Sequence, residues 1–202
     1  MPSRYISYVH ISCGVISYVL TPTQPMSSLK SQNQPTLEAL TSVACTALFA
    51  DYGLAITPVP APCETRAVHY CGIIGFTGDR IRGTLLLAMG EDALQKAMPA
   101  GTETGEGASR NWISELSNQL LGRVKNMLLR RDAEVYLTMP LVLRGEHLSP
   151  LPRERCLGLH FESDAGPIRL WVDAEFINDF VLPTEDVAGS EPMPEEGEAL
   201  LF

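Results

Sequence analysis

From Thr36 onward, Leu37, Leu40, Val43, Ala44, Ala47 and Leu48 recur at helical spacing. Thr36 and Glu38 suit a helix start, and Gly53 suits its stop. Three strand-like runs follow, over 54–59, 67–76 and 81–88, the last two joined by a Gly78-Asp79 turn. Residues 91–98 read as a short helix between Gly90 and Pro99, and 101–108 as a polar, glycine-rich loop. Ser109 is placed to cap a long helix over 110–131. Residues 134–139 and 141–143 form a strand interrupted by Pro140, so it is bent or at an edge. Residues 156–162 and 168–172 are joined by Asp164-Ala165-Gly166, a hairpin signal. This order predicts an α+β fold, a mostly antiparallel sheet with helices packed on one face.

The ends of the chain read differently. Residues 1–35 carry only Arg4 and Lys30 and no acid. The apolar run 5–20 has signal-peptide character, but Ser7, His10, Ser12 and Ser17 break it and no small-x-small site precedes Pro22. Residues 21–35 are Pro, Ser, Gln and Thr, the chemistry of a linker, with Met26 inside it as an alternative start to Met1. From Thr184 six acids occur without a base, together with Pro192 and Pro194. Such a segment cannot offset its ordering entropy. The expected organisation is a flexible extension over 1–35, one domain over 36–183 and a disordered acidic tail over 184–202. One domain is what 202 residues predict.

Charge and cysteine usage narrow the function. The net charge of −9 disfavours nucleic acid as a partner. No uncharged apolar stretch of about 18–20 residues stands out as a membrane span. Five irregularly spaced cysteines suit reduced thiols and a cytoplasmic location.

The long helix carries the informative chemistry. With Ile113 at zero on a helical wheel, Ile113, Leu116, Leu120, Val124 and Met127 fall within about 80° of arc. That stripe faces the core. Glu115 lies at about 200°, Asn118 at about 140° and Gly122 at about 180°, on the opposite side. Glu115 and Asn118 are three residues apart, a spacing at which side chains meet. A mid-helix glycine costs about 1 kcal/mol relative to alanine. Close approach by a partner is one physical reason to keep it; neutral drift on a solvent face is the plain alternative.

The stretch Trp112-Ile-Ser-Glu-Leu-Ser-Asn-Gln-Leu-Leu-Gly-Arg-Val-Lys125 resembles the signature helix of the CheX chemotaxis phosphatases, with CheC and FliY as relatives. Val135-Tyr-Leu-Thr-Met-Pro140 and Val142-Leu-Arg-Gly145 resemble the family's next strand, and 72–87 its paired central strands. The resemblance covers about 37–179. It implies hydrolysis of the phosphoaspartate of a CheY-like response regulator. Asn118 would orient the attacking water, as a positioning glutamine does in other phosphoryl transfers. Glu115 would pair with the regulator's active-site lysine, and Gly122 would let the helix lie close against the partner. Mg²⁺ would be held by the regulator, with no cofactor on this chain. CheC-like relatives carry two such helices; here Glu38 is followed three residues later by Thr41, which favours a single site. The resemblance also implies a homodimer, for which the Pro140 region offers a sheet edge.

Other chemistry is weaker. Cys63, His69 and Cys71 lack the paired spacing of a metal site and read as buried structural groups. His160 and Asp164 come without a nucleophile elbow, and no P-loop occurs. Arg130 and Arg131 complement a helix C-terminus. Besides the phosphatase, a non-catalytic module binding a response regulator or a flagellar or signalling partner remains open.

Overall fold

The computed structural model describes residues 9–12, 15–18, 26–60, 68–102, 105–146 and 156–185. Near the N-terminus, β1 (Val9–Ser12) and β2 (Val15–Tyr18) form a separate two-stranded antiparallel sheet. The rest is organised around a seven-stranded antiparallel sheet. Its strands are β3 (Thr57–Pro58), β4 (Val68–Thr77), β5 (Ile81–Gly90), β6 (Tyr136–Leu137), β7 (Leu141–Glu146), β8 (Cys156–Ser163) and β9 (Gly166–Phe176). The spatial order is β3-β8-β9-β5-β4-β6, with β7 also pairing β4. Three helices join them: α1 (Met26–Asp51), α2 (Glu91–Lys96) and α3 (Glu106–Leu129).

Strand alternation explains the layers. Tyr70, Ile74, Leu85, Leu87, Met89, Phe161, Leu170 and Val172 are buried on one sheet face. Leu37, Leu40, Ala44, Leu48 and Phe49 of α1 and Ile113, Leu116, Leu120 and Val124 of α3 join them in one cluster. The α+β reading, with helices on one sheet face, is the fold found.

Glycine sets how closely α3 lies on the sheet. A Cβ on Gly72 would fall 2.0 Å from Ser117 Oγ and 3.0 Å from the Ile113 carbonyl oxygen. Ser117 Oγ donates to that same carbonyl at 2.7 Å, so the hydroxyl is satisfied within its own helix. Gly72→Ala forces α3 away from β4. We expect a loss of about 1–3 kcal/mol, typical of overpacking, read from the urea midpoint.

Several boundaries differ from those read in the sequence. α1 begins at Met26, ten residues before Thr36, and holds Pro35 inside it. Residues 26–35 are therefore helix rather than linker, and Glu38 sits mid-helix instead of in the first turn. The physical reason is tertiary. Asn33 is buried, its Nδ2 donates to the Phe180 carbonyl at 2.7 Å, and its Oδ1 accepts from Leu182 N at 2.8 Å. The run 54–59 pairs only over Thr57–Pro58, since prolines at 58 and 60 limit the ladder. α3 starts at Glu106 with Gly105 as its N-cap at φ +133°, so Ser109 is a buried residue within the helix rather than its cap. The 186–202 part of the acidic tail, and Cys63, lie outside the described residues.

The Pro140 strand is bent, as expected. Leu137 pairs with Phe76 and Leu141 with Ile73, so three residues, 138–140, span two on β4. That is a bulge. Thr138 pins it, its N donating to the Gly75 carbonyl at 2.9 Å while its Oγ1 accepts from Gly75 N at 2.9 Å. β6 and β7 lie along the outer edge of β4.

Candidate active site

The buried side of α3 is wider than its Ile113–Met127 stripe. Ser117, Leu121 and Leu128 are also buried, whereas Met127 is half-buried against the core. On the wheel these additions widen the packed arc from about 80° to about 140°, with Leu121 at its edge near 80°, so Asn118 at about 140° lies about 60° beyond that edge. Asn118 is accordingly half-buried, while Glu115 is exposed. Gly122 is half-buried, and a Cβ built on it meets nothing within 4 Å. Glu115, Asn118 and Gly122 thus share the helix face turned from the sheet, as the sequence predicts. The Asn118 side chain has no hydrogen-bond partner among the described residues, leaving its amide available to an incoming water or ligand.

Glu115 does not engage Asn118 despite their spacing. Its Oε1 accepts instead from Gln119 Nε2 at 2.8 Å, an i, i+4 bond. Gln119 Oε1 in turn accepts from Tyr52 Oη at 2.7 Å. The Tyr52 ring meets Trp112 edge-on, with centroids 4.9 Å apart. Nearby, Arg123 Nη2 pairs with Asp51 Oδ2 at 2.6 Å. The C-terminal end of α1 is therefore fastened along the flank of the Glu115 face. The Gln119 bond to Glu115 could have been read from its spacing. Tyr52 could not, because it lies 67 positions away from Gln119.

The opposite flank is the sheet edge. Lys125 Nζ lies 5.8 Å from the Tyr136 ring centre, and Arg144 Nη1 on β7 pairs with Glu106 Oε1 at 3.2 Å. Met139 on the bulge is 92% exposed. At the far end of α3, Arg131 Nη1 donates to the Met127 carbonyl at 3.0 Å, the C-terminal role expected of this arginine. A groove of about 530 Å³ there, lined by residues including Leu40, Val43 and Met127, lies apart from Glu115.

Elsewhere the chemistry is quiet. Thr41 is buried and its Oγ1 donates to the Leu37 carbonyl at 2.7 Å, so α1 cannot present a second Glu–Asn-like pair at Glu38. Burial pushes the Cys71 thiol up to about 11 and the Cys45 thiol up to about 12, which keeps both protonated and unreactive. Burial, then the Arg169 charge, lowers the His160 pKa. Among the described residues no group of three or more His, Cys, Asp or Glu converges as a metal site. No helix among them is long and apolar enough to cross a membrane.

Residues 70–162 match the family described as chemotaxis phosphatase CheX, a span that contains most of β4, all of β5 and α3, and the Glu115–Asn118 face. Over that span the chain is similar to CheX. Its fold is similar to CheX from Vibrio vulnificus at a TM-score of 0.58 and 15% identity, covering 69% of this chain and 96% of that one. A CheC-like superfamily protein from Shewanella sp. PV-4 matches at a TM-score of 0.60 and 18% identity, over 69% of this chain and 97% of that one. CheX from Borrelia burgdorferi, solved as a complex with CheY, BeF3 and Mg²⁺, matches at 0.51 and 14% identity, over 71% and 97%. At these identities the likenesses establish the fold. No curated protein matches the chain at a significant level. In this chain, then, the helix singled out by its Glu-x-x-Asn-x-x-x-Gly spacing is also the one that crosses the central strands of a fold similar to that of CheX.

Proposed function

We propose that this chain is an aspartyl-phosphate phosphatase acting on a CheY-like response regulator. The observation that carries the reading is the presentation of Glu115, Asn118 and Gly122 on one outward face of a helix whose other face is locked into the core. An acyl phosphate is already reactive, so the protein need supply only orientation and charge placement. Asn118 offers one amide donor group and one carbonyl acceptor, enough to hold a water in line with phosphorus. Glu115 supplies a carboxylate for the regulator's lysine. No covalent nucleophile on this chain takes part. Mg²⁺ stays with the regulator and neutralises the phosphoryl oxygens there. A homodimer through the β7 edge belongs to the same reading.

The test is a panel of receiver domains, each phosphorylated on its aspartate with Mg²⁺ present, followed for phosphate loss with and without this protein. At least one should lose phosphate faster. A panel in which none does would count against the enzyme.

Gly122 gives a prediction in which stability and function move in opposite directions. Open space above it admits a methyl group, and alanine favours the helix by up to about 1 kcal/mol. Gly122→Ala should therefore raise the melting temperature. If the regulator packs against this face, the same methyl should weaken binding, as calorimetry with the responsive receiver domain would show.

A further inference from the structure

Glu115 is an exposed carboxylate on a side chain with three rotatable bonds, yet it is not left to wander. Gln119 donates to it at 2.8 Å, and Tyr52 donates to Gln119 at 2.7 Å. The direction of the relay is set by chemistry. A carboxylate only accepts, so the Gln119 nitrogen must face Glu115. Its oxygen then faces Tyr52, whose hydroxyl must donate. Neither amide orientation is interchangeable with the other.

The relay begins at a fixed point. Gly53, at φ +71°, ends α1 in a left-handed turn. Leu54 N and Tyr52 N both donate to the Phe49 carbonyl, at 2.9 and 3.2 Å. The turn places Tyr52 against the Trp112 ring, and the Asp51–Arg123 pair holds the same helix end to α3. Tyr52 is thus placed by the backbone of one helix and by packing on another, and its hydroxyl is aimed at Gln119.

We propose that Tyr52 and Gln119 are positioning residues that hold the Glu115 carboxylate in the direction from which it meets the regulator. This rests on the phosphatase reading above. A carboxylate held before the encounter loses less side-chain freedom on binding, so the relay acts on affinity. Asn118 is outside the relay, so the chemical step is left alone.

Three variants of the full chain test it: Tyr52→Phe, Gln119→Leu and Glu115→Ala. Tyr52→Phe keeps the ring on Trp112 and removes only the hydroxyl. Gln119→Leu cuts both bonds and keeps helix propensity. For the responsive CheY-type receiver domain, Tyr52→Phe and Gln119→Leu should each raise KM by about threefold to tenfold, the scale of one ordinary hydrogen bond, and Glu115→Ala should impair binding at least as much. In Tyr52→Phe and Gln119→Leu the turnover number should change less than about twofold, since only uniform binding is lost. In a Glu115→Ala background neither should add a further effect. In the free chain, the Gln119 side-chain NH₂ protons should be shifted apart by NMR and should move together in both Glu115→Ala and Tyr52→Phe. Wild-type kinetics in Tyr52→Phe and Gln119→Leu, with Glu115→Ala impaired, would overturn the relay and leave the phosphatase reading standing. Equal losses in the Glu115→Ala background would also overturn it. Wild-type kinetics in Glu115→Ala itself would overturn the reading on which the relay rests. An NMR signal indifferent to both substitutions would overturn the relay without any regulator present.

Discussion

Asn118→Ala should slow regulator dephosphorylation by about tenfold or more, each tenfold corresponding to about 1.4 kcal/mol of barrier. The expectation follows from what the side chain does in the folded chain, which is little. It is half-buried and has no hydrogen-bond partner among the described residues, so its loss strands no buried group. Alanine is also the better helix former, by up to about 0.7 kcal/mol. The melting temperature should hold or rise. A loss of activity without loss of stability is the mark of a group kept for chemistry. Binding of the phosphorylated regulator should persist, because the charged contact belongs to Glu115. Kinetics at saturating regulator, beside a thermal melt, check both halves.

Leu120→Ala should do the opposite. Leu120 is fully buried, inside the core cluster that joins α1, α3 and the sheet. Truncation removes buried methyl groups and leaves a cavity that the surrounding strands cannot fill. The cost should be about 2–5 kcal/mol. A domain of this kind holds about 5–15 kcal/mol in all, so the loss is a large share. Urea unfolding would show a lowered midpoint at constant slope. Activity per folded molecule should be nearly normal under stabilising conditions. The pair of variants separates the two sides of one helix, two residues apart: Asn118 for the reaction and Leu120 for the fold.

The separation of those two sides was legible in the residues themselves. Apolar positions at 113, 116, 120 and 124 leave one helical register, and Glu115, Asn118 and Gly122 fall opposite them in it. The strands at 68–77, 81–90, 156–163 and 166–176 were legible for the same reason, alternation bounded by Gly78-Asp79 and by Asp164-Ala165-Gly166. What local pattern could not show is what distant chain supplies. Gln32, Asn33, Gln34 and Pro35 look like linker, and become helix because Asn33 clamps the backbone at Phe180 and Leu182. Ser109 looks like a cap, and becomes core because a glycine and an acid four and three residues earlier already start the helix. Tyr52 looks like the last residue before a helix stop. Only when α1 lies along α3 does its hydroxyl reach Gln119 and, through it, Glu115.

The central claim is that the Glu115–Asn118 face accelerates loss of phosphate rather than merely docking a phosphorylated partner. The most direct measurement is single-turnover phosphate release from the responsive receiver domain, with this protein in excess and Mg²⁺ present. Binding is followed in parallel with the BeF3-loaded receiver. The account predicts release at least about tenfold faster than the receiver alone, with that gain lost in Asn118→Ala and the BeF3-loaded form still bound. Tight binding to the BeF3-loaded receiver, with phosphate release no faster than its spontaneous rate, would contradict the account and leave a binding module on a CheX-like fold.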